Sequence, residues 1–215
     1  MRSDGAPRAG MFSAIVLVHL EQKLAILPLP GLTAIRIAET NQGMTNSIRM
    51  ASPQDAEKIT ALINNAFRPA EGFFLDADRI DLKSVTEFFL KGKFLLGESD
   101  AVVAACVYVE VRSERAYLGL LAVDPARQHC GFGSLLMDAA EENCRGLGCR
   151  FMDIQVVNLR EDLFGFYRSR GYVETGTHPF PTDVKTKLPC HFVEMTKSLI
   201  GSNESHPTTN SSSSL

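Results

Sequence analysis

The chain has 215 residues, 45% of them apolar and 22% charged, with a net charge of −3. That composition suits one globular domain with tails and offers no basic surface for nucleic acid. Five cysteines, an odd number with no C-x-x-C pair, argue for a reduced cytoplasmic protein, and the five histidines fall at no metal-ligand spacing, so no metal is expected.

Residues 1–46 differ from the rest. The apolar run Met11–Leu20 (MFSAIVLVHL) is too short to span a bilayer, and no membrane association is expected. With Arg2 and Arg8 before it, the segment reads either as a poorly ordered extension or as a signal or mitochondrial targeting segment. Ile26–Leu32 (ILPLPGL) reads as a proline-broken linker. Residues 200–215, rich in Ser, Thr and Asn, are expected to be disordered, which leaves 47–199 as the folded unit.

Within that unit Ser47–Ala51 is a strand candidate. A helix follows, with Ser52 as cap, Pro53 at its first position, and Ile59, Leu62, Ile63 and Ala66 recurring on one face. RPAEGFF (Arg68–Phe74) reads as a loop and Asp76–Lys91 as a second helix. Lys93–Leu96 and Val102–Val111 form a hairpin around Gly97-Glu98-Ser99-Asp100, and Ala116–Val123 is the fourth strand. Helix Ser134–Arg145, strand Phe151–Val157, the short helix Leu163–Arg170 and the strands Tyr172–Gly176 and His191–Thr196 complete the order. The expected fold is α/β (mixed α+β): a central, mixed but mostly antiparallel twisted sheet with helices on both faces, parallel where a helical crossover joins two strands.

Between the fourth strand and its helix the chain reads VDPARQHCGFGS, with Gly131 and Gly133 two apart. A dinucleotide fingerprint needs a third glycine where Leu136 stands, and a nucleoside-triphosphate loop needs a G-K-[ST] that is absent. What remains is a strand-to-helix turn whose backbone N–H groups, at the positive end of a helix, can cradle a pyrophosphate or can be turn chemistry alone.

LAVDPARQHCGFGSLL resembles the V-x-P…[RQ]-x-x-G-x-[GA] signature of the GNAT superfamily of acyl-CoA-dependent N-acetyltransferases. VVNLREDLFGFYRSRGY is similar to that family's N…FY…GF stretch, and Ser47–Phe67 fits its opening strand and helix. The resemblance covers about 47–199. It implies acetyl-CoA as donor and direct transfer of its acetyl group to an amine. It implies that the backbone of Gln128, His129, Cys130, Gly131, Phe132, Gly133 and Ser134 holds the pyrophosphate, and that Leu121 and Val123 bind the pantetheine arm through their main chain. Tyr167 falls where the family protonates the departing thiolate; Asn158 either bonds the pantetheine or makes local backbone bonds. Arg127, Arg160 and Arg168 are either phosphate partners or part of a solvated face.

The fourth strand, AYLGLLAV, holds no acid or histidine to deprotonate the acceptor, and Tyr117 and Gly119 stand where a base would point. Glu110, on the preceding strand and the same face as Tyr108, is the nearest carboxylate; it reads as a base or as an exposed strand residue. The loop Thr177–Phe192 is expected to shape the acceptor pocket; the acceptor is a small amine or a protein tail, nothing favouring the tail, and the protein a monomer or homodimer. A catalytically weak acyl-CoA-binding module of the same fold is the alternative function.

Overall fold

The computed structural model describes residues 46–200; the expectations for 1–45 and 201–215 lie outside the described residues. One seven-stranded sheet has the order β1-β2-β3-β4-β5-β7-β6. The strands are β1 Asn46–Met50, β2 Lys93–Ser99, β3 Val102–Arg112, β4 Arg115–Val123, β5 Phe151–Val157, β6 Val173–Pro179 and β7 His191–Ser198. All neighbours are antiparallel except β4 and β5, which the helical crossover forces parallel. Helices α1 (Ala56–Glu71) and α2 (Leu82–Lys91) cover one face; α3 (Phe132–Gly146) and α4 (Glu161–Ser169) pack on the other.

Strand alternation divides the core accordingly. Val107, Val109, Ala116 and Leu118 pack beneath α3, with Leu136, Met137 and Ala140. Cys106, Tyr108, Leu120 and Ala122 pack beneath α1, with Ile59, Leu62 and Ile63. A buried polar hub joins α3 to β7 and to the start of β6: Glu141 accepts from the Tyr172 hydroxyl at 3.1 Å and from Lys197 Nζ at 2.6 Å.

Several boundaries depart from expectation, among them the end of β6, at Pro179 rather than Gly176. Helix α1 runs through Arg68–Glu71, read above as loop, with Pro69 inside its last turns. Proline removes one backbone bond there, but the apolar stripe of the helix is already buried on the sheet, and packing overrides the local cost. Helix α2 begins at Leu82 rather than Asp76, because the Asp81 carboxylate caps it by accepting from Ser84 N at 2.7 Å. The hairpin turn is Asp100-Ala101, both at positive φ (50° and 63°), so β2 continues to Ser99 through an irregularity at Gly97/Glu98. A two-residue turn with both φ positive matches the strands' right-handed twist.

Candidate active site

Strands β4 and β5 pair only over Arg115↔Phe151, Ala116↔Met152 and Tyr117↔Asp153. There Arg115 Nε donates to Asp153 Oδ2 at 2.7 Å and closes that end. Beyond it β4 carries an extra residue: Tyr108 faces Gly119 and Cys106 faces Ala122, so three steps on β4 match two on β3. Leu120 adopts φ +52° within this bulge. A bulge bends the strand that bears it, and the two parallel strands have no further registered pairs. The resulting cleft, about 530 Å³, is floored by Leu118–Val123 of β4 and Ile154–Val157 of β5.

At one end of the cleft lies the Gln128–Ser134 turn. His129 (φ +65°) and Gly131 (φ +84°) reverse the backbone, and Gly131 is the cap of α3. Leu135 N donates to Gly131 O at 3.0 Å, so the N–H groups of Phe132, Gly133 and Ser134 have no acceptor within the helix. With the helix dipole, they form a site for an anion. The Phe132 side chain is buried in the core and secures the turn: a Cβ on Gly97 would meet its ring at 2.9 Å. A Cβ on Gly133 would project between Val123 and Phe166, each about 4.0 Å away, so glycine leaves that space open.

Of the residues proposed from sequence, Leu121, Val123, Gln128, His129, Gly131, Phe132, Gly133, Ser134 and Tyr167 line this cleft. Cys130, in the same turn, is exposed and is not among the lining residues. Asn158 also lies off the cleft wall: its Oδ1 accepts from His191 N at 2.8 Å and its own N–H donates to His191 O at 2.9 Å, which ties β5 to β7. Glu110 is likewise outside the lining, where Arg112 grips its carboxylate at 2.9 and 3.1 Å and the Tyr108 hydroxyl donates to it at 3.2 Å. Arg160 lines the cleft as an ion-pair partner of Asp162, and Arg168 pairs with Glu174.

Tyr167 sits on α4 in edge contact with Phe166 and Tyr172. Burial pushes its phenol up to about 12, with Arg160 pulling the other way. It therefore stays protonated at working pH and is a standing hydrogen-bond donor.

The cleft is also lined by a buried carboxylate that the sequence pattern did not mark. Glu71, 4% exposed, closes α1 and lines the cleft, with its Oε2 3.3 Å from Arg79 Nη1. Ile59, Ile63, Phe67 and Glu71 stand four residues apart, so an acid on the apolar stripe was the available signal; the reading of Arg68–Phe74 as a loop hid it. The loop between β6 and β7, residues 180–190 rather than Thr177–Phe192 because the strands extend into both ends, packs beside Glu71: Lys187 N donates to Phe74 O at 2.8 Å and its Nζ to Gly72 O at 2.7 Å. Among the described residues, no group of three or more His, Cys, Asp or Glu could hold a metal ion, and no helix is long and apolar enough to cross a membrane.

Residues 55–172 match the model of the acetyltransferase (GNAT) family. No curated protein sequence matches the chain. Among solved structures, it is similar to a ribosomal-protein-S18-alanine N-acetyltransferase from Escherichia coli, with 17% identity over 76% of this chain and 99% of that one and a TM-score of 0.59. It is similar to the PaiA N-acetyltransferase from Thermoplasma acidophilum in complex with coenzyme A, with 16% identity over 72% and 99% and a TM-score of 0.60. A putative phosphinothricin N-acetyltransferase gives 18% identity over 73% and 100%, with a TM-score of 0.62.

Proposed function

Since the chain belongs to the acetyltransferase (GNAT) family, we propose that it transfers an acetyl group from acetyl-CoA to a small amine by direct attack in the cleft between β4 and β5. The observation that carries this reading is the meeting of the opened β4 edge with the unpaired N–H groups at the start of α3. Those N–H groups suit a pyrophosphate. The unpaired β4 edge at Leu121 and Val123 suits the amides of a pantetheine arm, which would lie along the strand as an additional partner. When bound, acetyl-CoA supplies an activated acyl carbon.

An acceptor ammonium must lose a proton before its nitrogen can attack. Glu71 is the buried carboxylate that faces the cleft, and it serves as the base directly or through one water. Glu110, held by Arg112 on the rim of the sheet, is less suited. Tyr167 donates to the sulfur of the leaving thiolate. A phenol near 12 gives up its proton to a thiolate of ordinary basicity, about 8.5, only uphill, so its main effect is a hydrogen bond that strengthens as negative charge gathers on sulfur. A carboxylate and a protonated phenol lining the same cleft favour turnover over a module that merely binds acyl-CoA.

Thermal unfolding with and without acetyl-CoA, with ATP and NAD as controls, tests the binding half. At a hundred times Kd acetyl-CoA adds about 2.7 kcal/mol and raises Tm by roughly 5–10 °C. A cooperative melt that acetyl-CoA leaves unmoved would refute the reading.

A further inference from the structure

The geometry points to an acceptor that is itself an amino acid: an amine whose carboxylate lies one or two carbons away and is received by Arg79. This rests on the acetyltransferase reading and names the substrate class of that same cleft.

Arg79 reaches the cleft from the loop between α1 and α2, and that loop is held firmly. The Asn64 amide of α1 grips the backbone of the next residue in both directions, donating to Ile80 O at 2.8 Å and accepting from Ile80 N at 3.0 Å. The guanidinium then lies over the Phe67 ring, 5.2 Å from its centroid. Its side chain is 11% exposed. Among the described residues its one hydrogen bond is the long contact from Nη1 to Glu71, and its Nε is buried with no partner at all. A buried guanidinium nitrogen left unpaired is costly, and arginine's planar fork of donors matches a carboxylate.

The other charges in the cleft support the same class. Arg160 spends Nε and Nη2 on Asp162, at 3.0 and 2.8 Å, and has less to offer. The cleft-lining charges are therefore Glu71 and Asp162 against Arg79 and Arg160, which balance. A bare cationic amine would upset that balance, whereas a zwitterion preserves it. Glu71 and Arg79 are in contact, so a substrate engaging both must carry its ammonium and carboxylate close together. That spacing selects α- and β-amino acids over longer ω-amino acids. Tyr117 and Tyr167, the remaining titratable groups lining the cleft apart from His129 in the turn, are phenols whose ionisation burial opposes.

The test is thiol release by the full-length protein with acetyl-CoA and a panel of free L-amino acids and β-alanine, each beside its carboxamide, in which –CO₂⁻ becomes –CONH₂. At least one amino acid should be acetylated at a kcat/KM ten or more times that of its amide. Arg79→Met should raise the KM of that amino acid about 10- to 100-fold. It should shrink the acid-to-amide preference and leave the acetyl-CoA thermal shift within about twofold of the unaltered protein's. Arg79→Lys, which keeps the charge and loses the fork, should fall between. The acid-to-amide ratio needs no variant, so it decides the matter even if Arg79→Met fails to fold. Amides that match or outrun their acids overturn the proposal. So does a panel in which no amino acid reacts while acetyl-CoA still raises Tm, and that outcome leaves the acetyl-CoA reading standing. Loss of the acetyl-CoA shift itself strikes the parent reading instead.

Discussion

The ring of Tyr117 occupies the space a side chain at position 119 would need: a Cβ on Gly119 would stand 2.8 Å from its Cε1 and 2.9 Å from its hydroxyl oxygen. The two residues lie two apart on β4, where alternation sends both toward the cleft. Gly119→Ala must turn the Tyr117 ring and should cost about 1–2 kcal/mol. Acceptor kcat/KM should fall more than acetyl-CoA affinity does. The double variant with Tyr117→Ala should be less destabilised than the two single losses added together, a coupling that a double-mutant cycle by thermal unfolding measures directly.

Tyr167→Phe should lower kcat about 10²- to 10³-fold while the acetyl-CoA thermal shift persists. The pH profile separates its role from that of a titrating acid. The phenol must be protonated to donate, and burial pushes it up to about 12, so the competent form persists past about pH 10. No alkaline decline below that pH should trace to Tyr167, and any limb there should survive in the phenylalanine variant. A limb that disappears on substitution would assign the titration to Tyr167 after all.

Gly133 stands at the start of α3 in a space bounded by Val123 and Phe166. The Cβ of Gly133→Val comes no closer than about 4.0 Å to a neighbour, and Tm should stay within a few degrees. The added branches fill the cradle, so Kd for acetyl-CoA should rise at least tenfold. Calorimetric titration against the unaltered protein checks both halves. Undiminished affinity would place the pyrophosphate elsewhere.

Glu141 is 2% exposed and holds Tyr172 and Lys197 together. Glu141→Ala strands a buried hydroxyl and an ammonium and should cost about 3 kcal/mol, lowering Tm by roughly 6–12 °C. Glu141→Gln keeps the shape and should cost less. Neither should alter kcat in protein that remains folded, which steady-state assays well below Tm can establish.

The features legible in the chain alone were local. The Gln128–Ser134 turn was readable because two glycines at a strand-to-helix junction, and the free N–H groups of a helix start, depend on neighbours within a few residues. The order of strands and helices was readable because alternation and 3.6-residue periodicity repeat along the chain, and the long crossover after β4 left only a parallel partner. Tertiary structure decided the rest. No composition or spacing marks Leu120 as the residue that takes φ +52° so that β4 can part from β5; that follows from the register imposed by β3. Glu71 and Arg79 meet because α1 runs past Pro69 on a buried stripe and Asn64 pins the following loop, forces that act between segments. Glu110 shares the Tyr108 face as alternation requires, yet only the packed structure shows Arg112 beside it and the cleft elsewhere. An anion turn is built from consecutive residues, whereas an acceptor pocket is built from residues that only packing brings together.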